Sequence, residues 1–277
     1  MKTLLYLSMV FTFLFTTLVS AQDFKGIATY KTQRKMEIEM DSTQMSTEMH
    51  QQMMAMIKKQ FEREYTLNFN KNESIYKQVE QLDKPTGVSN GGMQIVVAGS
   101  GDNDVLYKNT KEAYFLNQNE LFSKQFLIND SLEQPEWSLE KETKNIGNYT
   151  CFKATYKRMV PEERMGPPSN DETEISEVEQ TVTAWYTLQI PIKQGPGMYY
   201  GLPGLILEVS AGNQSILCSK IVLNPKDGIS IAQPTKGKKV NQEEYDVIME
   251  KKMREMEERR NSNRRDDGNS IEIRIGG

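Results

Sequence analysis

The side chains with the most distinctive chemistry are clustered thioethers. Seven methionines fall between Met36 and Met56, and Met45, Met49, Met53 and Met56 recur at helical spacing beside His50. At 100° per residue these four lie within about 80° of a helix circumference. Thioethers are soft ligands that suit Cu(I), so Met45, Met49, His50 and Met53 make one candidate metal set, with the imidazole as a second ligand type. The same stripe also reads as an adaptable apolar surface for a greasy ligand, or as plain packing, because methionine fills irregular gaps. Other chemistry is scarce. One His and two Cys cannot complete a zinc site of the usual four Cys/His ligands. His50 has no G-x-S-x-G serine to serve, and the glycines at Gly91-Gly92 and Gly99-Ser100-Gly101 lack the Walker lysine pattern. Adjacent carboxylates such as Glu162 and Glu163 read as a solvated acidic loop. The expectation is a noncatalytic protein with no cofactor.

A second group is defined by backbone rather than by reactivity. Residues 184–210 read AWYTLQIPIKQGPGMYYGLPGLILEVS. A strand ends at Ile190-Pro191, a Gly195-Pro196-Gly197 loop follows, and the turn Gly201-Leu202-Pro203-Gly204 launches the apolar strand Leu205-Ile206-Leu207. Proline fixes its own φ and glycine accepts positive φ, so composition largely prescribes this backbone, with Gly201 or Gly204 expected in the left-handed region. Trp185, Tyr199 and Tyr200 supply rings to cover the loop or to contact a ligand. Gly and Pro carry no reactive group, so the run reads first as a fold signature.

The run resembles the GLPGLI family of exported Bacteroidetes proteins, named for the string at Gly201, Leu202, Pro203, Gly204, Leu205 and Ile206. Ala184-Trp185-Tyr186-Thr187, Ile190-Pro191-Ile192 and Gly195-Pro196-Gly197 precede it in the same order. Trp137-Ser138-Leu139 and residues 146–154 resemble the family's central strands, so the resemblance spans about residues 105–225. It implies a cell-envelope address and supplies no catalytic residues.

The N-terminus agrees with that address. Lys2, the apolar stretch Leu4 to Val19 and the small residues Ser20-Ala21 form a signal-peptide pattern over residues 1–21, too short to span a bilayer comfortably. Gln22 follows in place of a lipid-accepting Cys. A soluble exported chain, periplasmic or in the cell envelope, is expected after cleavage. An oxidising compartment makes a Cys151–Cys218 disulfide possible, and pairing on neighbouring strands is expected, with two buried free thiols as the alternative. The chain is 37% hydrophobic with net charge −4, so it has no basic surplus for nucleic acid.

The elements that must position these groups alternate at period two. Phe24 to Met40 reads as a strand, with Ile27, Thr29 and Lys31 on one face. Thr43 to Glu64 reads as the Met-rich helix, and short strands follow between Tyr65 and Leu223, with turns at Asn70-Lys71-Asn72, Asn129-Asp130, Gly147-Asn148 and Gly212-Asn213. Insertions are expected near 83–104 and 159–177. Gln242 to Arg260 reads as a helix with Tyr245, Ile248, Met249, Met253 and Met256 on one side. The fold expected is mainly β (α+β), a curved antiparallel meander sheet or half-barrel over residues 22–240, with the Met-rich helix packed on one side and a C-terminal helix and tail at 241–277. Three functions fit: an envelope protein binding an apolar small molecule, lipid or partner; a copper or other metal handler; or an accessory to an outer-membrane transporter.

Overall fold

The computed structural model describes residues 24–34, 62–79, 104–165 and 173–263. The signal pattern, Met45, Met49, His50, Met53 and Met56, most of the insertion near 83–104 and the tail beyond residue 263 lie outside these residues.

Among the described residues, twelve strands form one sheet: β1 (Gly26–Arg34), β2 (Arg63–Phe69), β3 (Glu73–Gln78), β4 (Val105–Asn109), β5 (Tyr114–Leu121), β6 (Lys124–Ser131), β7 (Ser138–Ile146), β8 (Tyr149–Met165), β9 (Thr173–Thr187), β10 (Leu205–Ala211), β11 (Gln214–Leu223) and β12 (Lys238–Val240). Their order is β12-β6-β5-β4-β3-β2-β1-β11-β10-β9-β8-β7. Two antiparallel meanders, β1–β6 and β7–β11, therefore meet where β1 pairs with β11. The sheet is mixed because β12 runs parallel to β6, with Lys238 opposite Phe126. Among the described residues one helix, α1 (Gln242–Asn263), follows.

Alternation chooses the inner face, though in β1 it chooses against expectation. Ala28 and Tyr30 are fully buried, whereas Ile27 and Thr29 are half-buried. The Tyr30 hydroxyl donates to the Ile206 carbonyl at 2.7 Å, so the larger ring is turned inward with its polar end satisfied. From there the inner rows cross the sheet by register: Leu67, Tyr76 and Leu106 in one, Phe69, Ser74, Lys108 and Phe115 in the next. Residues 188–204, between β9 and β10, fill this face. On the other face, the connection between β11 and β12 lays Ile231 against Tyr107, Leu116 and Leu127. Asn68 donates to the Ser230 carbonyl and Gln233 to the Tyr107 and Tyr114 hydroxyls, which fixes that connection.

Three boundaries differ from the sequence reading. Arg63 and Glu64 belong to β2 and not to a helix. Within the acidic stretch 159–177, β8 extends to Met165 and β9 starts at Thr173, with Pro161 opposite Glu177 and Met165 opposite Thr173. Pro161 is tolerated there because β7 pairs with β8 only as far as Thr155, which leaves that part of β8 an edge. Finally, β5 and β6 turn at Phe122-Ser123, with φ of 49° and 63°, while Asn129 and Asp130 lie within β6.

The start of α1 is locally encoded. Asn241 accepts from the Glu244 amide at 2.8 Å, and Glu244 accepts from the Asn241 amide at 3.1 Å, a reciprocal capping box. Asp130 accepts from the Gln242 amide at 2.9 Å and so ties the helix start to β6, a contact that also holds its carboxyl below the usual value.

Candidate functional site

The Gly/Pro run is interior structure. Tyr199, Tyr200, Leu202, Leu205 and Ile206 are all buried. The Tyr200 hydroxyl donates to the Leu132 carbonyl at 2.9 Å, and its own carbonyl accepts from the Trp137 indole at 2.8 Å. Gly201 adopts φ of 95°, as the turn requires. Gly204 does not, but a Cβ there would lie 2.0 Å from the Thr187 carbonyl oxygen, so close backbone packing demands glycine. Lys108, fully buried on β4, donates to the carbonyls of Gly195 at 3.0 Å, Gly197 at 2.6 Å and Tyr199 at 3.4 Å. Burial pushes its ammonium down to about 7. Ser74 donates to Gln194 at 2.9 Å beside it. Tyr199 and Tyr200 are thus turned into the protein.

Trp185 is separated from those tyrosines. It alternates to the opposite side of β9 from the buried Ala184 and Tyr186, with the Lys144 ammonium 4.3 Å above its ring and Lys144 paired to Glu208 at 2.7 Å. The three aromatics thus form no common surface. Cys151 and Cys218 are free thiols on β8 and β11, with β9 and β10 between them in the sheet, so the expected neighbouring-strand pair is not present. Burial pushes Cys151 to about 11 and Cys218 to about 12, away from thiolate reactivity.

An open groove lies beside the β12 edge of the sheet. The β5–β6 tip, β12 and the later turns of α1 enclose a groove of about 450 Å³. Positions 245, 248, 252, 255, 256 and 259 share one helical face. Its first part packs on the sheet, with Tyr245 edge-on to Phe126 at 5.5 Å, and the rest leans over the hairpin tip. Of the expected apolar side of this helix, Tyr245 is buried and Ile248 and Met256 face the groove, while Met249 and Met253 are exposed outside it. The floor is apolar: Leu121, Phe122, Phe126, Ile248 and Met256. The rim carries Lys124, Lys238, Lys252 and Arg259 against one carboxylate, Glu255, which Lys252 contacts at 2.5 Å and holds below its usual value.

Phe122 is the unusual residue here. Its ring is 45% exposed, and its backbone occupies the left-handed region in a two-residue hairpin turn where Asn-Gly would be unstrained. Sequence reasoning missed it because Phe-Ser does not look like a turn. Among the described residues, no group of three His, Cys, Asp or Glu side chains could hold a metal ion, and no helix is long and apolar enough to cross a membrane.

Residues 137–208 match the model of a family described as a protein of unknown function (Porph_ging). That match begins at Trp137, takes in the buried run and ends at Glu208, so it leaves out the whole groove. No curated protein matches the chain. Two solved structures of PNGF-II, in space groups C2 and P21, are similar at 12% identity with TM-scores of 0.46 and 0.47. They cover 81% and 82% of this chain, which spans about a third of theirs (32% and 33%). A likeness at that level carries no chemistry across.

Proposed function

We propose that this is an exported, noncatalytic cell-envelope protein that binds an apolar ligand in the groove between the β5–β6 hairpin and α1. The observation that carries the reading is Phe122, a large ring kept half-exposed on left-handed backbone that it does not favour. Residues that break a local rule without adding to the core are expected where function requires them. Phe122 extends an apolar floor that is continuous with the core through Phe126 and Ile248, and a ligand would remove that floor from water. Export with cleavage after Ala21 and kinship to the GLPGLI proteins belong to the same proposal, supported by the N-terminal pattern and by the run at 184–210.

The test uses N-phenyl-1-naphthylamine, a neutral apolar fluorophore, titrated into the full chain. Saturable binding is expected, and Met256→Asp should reduce it at least about tenfold, a loss of about 1.4 kcal/mol, while leaving the melting midpoint unchanged, since Met256 is 43% exposed. A parent chain that leaves the fluorophore dark but takes up Cu(I) would transfer the function to Met45, Met49, His50 and Met53.

A further inference from the structure

We infer that the groove selects an anionic single-chain amphiphile, a free long-chain carboxylate, over neutral apolar molecules. The inference rests on the proposal that the groove takes an apolar ligand and adds the head group. The chain as a whole carries net charge −4, yet the groove brings Lys124, Lys238, Lys252 and Arg259 together with one carboxylate, Glu255. Glu255 pairs with Lys252 and not with Lys124 or Lys238.

Lys124 and Lys238 are the sharpest part of the pattern. Neither has an ion pair among the described residues. Lys124 lies two residues before Phe126 on β6, and Lys238 lies directly opposite Phe126 on β12, so both project to the face that carries the apolar floor. Lysine stems lie along apolar surface with their ammonium groups at its edge. Two ammonium groups at the rim of a greasy floor are complementary to a hydrocarbon chain ending in a carboxylate. The groove volume of about 450 Å³ is that of a small-molecule site, which favours one free amphiphile over a bilayer surface.

The experiment displaces the neutral fluorophore from the full chain with oleate, with oleyl alcohol, or with phosphatidylglycerol vesicles. Oleate is expected to compete better than oleyl alcohol, and rising ionic strength should weaken oleate alone. The double variant Lys124→Glu with Lys238→Glu should weaken oleate at least about tenfold and leave oleyl alcohol within about twofold. Lys124→Gln with Lys238→Gln provides the same comparison without charge reversal, should the first variant fold poorly. Equal competition by the two ligands, or equal loss on substitution, overturns the inference while the apolar site stands. Capture by vesicles without displacement by oleate overturns it in favour of a membrane surface. A parent chain that never binds the fluorophore defeats the underlying reading, and this one with it.

Discussion

Lysines and aromatic rings meet at two places on this sheet, with opposite results. At Lys108 the ammonium is fully buried, three backbone carbonyls of residues 195–199 take its donors, and the Tyr200 ring lies 5.8 Å away. At the groove, Lys124 and Lys238 flank Phe126 and Phe122 with their charges in solvent. The first arrangement is complete within the protein, and its donors satisfy a loop that would otherwise bury unpaired carbonyls. The second leaves both apolar surface and positive charge for something else to cover. Residue types alone therefore do not separate a fold determinant from a binding site; the presence of internal partners does.

The largest effect should come from the closed site. Gly204→Ala places a Cβ within 2.0 Å of a backbone oxygen that cannot swing aside, so the turn and β10 must shift. We expect a loss of about 4 kcal/mol or more, in the range reserved for disrupted cores. Gly197→Ala is the control: its φ is 54°, with nothing within 4 Å, and the cost should stay near about 1 kcal/mol. Urea denaturation of both variants measures the contrast. Similar midpoints for the two would mean that the loop is not held as tightly as its contacts imply.

Lys108→Met comes next. It retains length but strands three carbonyls, so about 2–3 kcal/mol should be lost, and binding of the fluorophore at the distant groove should be unchanged. The lysine also has a pH signature. Its folded value of about 7 lies below the unfolded value of about 10.4, so between them the unfolded chain holds more protons and stability rises with pH, by at most about 1.4 kcal/mol per unit. Buried Cys151 and Cys218, raised to about 11 and 12, pull the other way once unfolded thiols ionise above about 8.5. The parent-minus-variant difference between pH 7 and 8 isolates the lysine. A pH-independent difference would mean that the carbonyl cage holds the ammonium fully charged.

Local signals in the sequence carried much of the closed site and little of the open groove. The Gly201–Gly204 turn, the apolar strand after it and the period-two strands are written in residues close together along the chain. The partner of Lys108 is 87 residues away, and nothing near Lys108 announces that it will be buried. The groove depends on still longer contacts. It exists because Gln242 docks on Asp130, 112 residues earlier, and because β12 adds in parallel to β6. Aromatic types pointed to Trp185, Tyr199 and Tyr200, but alternation put Trp185 on one face and internal hydrogen bonds consumed Tyr200. Phe122-Ser123 escaped notice because its turn geometry contradicts its residue types.

That contradiction supplies the smallest and most discriminating prediction. Phe122→Asn replaces a β-former with a residue that accepts the left-handed region, and the ring it removes is 45% exposed. If Phe122 served the fold, its loss would lower stability, as removal of a packed ring does. If it serves a ligand, relief of backbone strain should leave stability unchanged or raise it by about 0.5–1 kcal/mol, while affinity for the fluorophore falls. Stability and binding would then move in opposite directions on one substitution. Phe126→Asn, at a site only 5% exposed and edge-on to Tyr245, should lower both together. A Phe122→Asn variant that loses stability and retains binding would show that the open groove is as structural as the closed site.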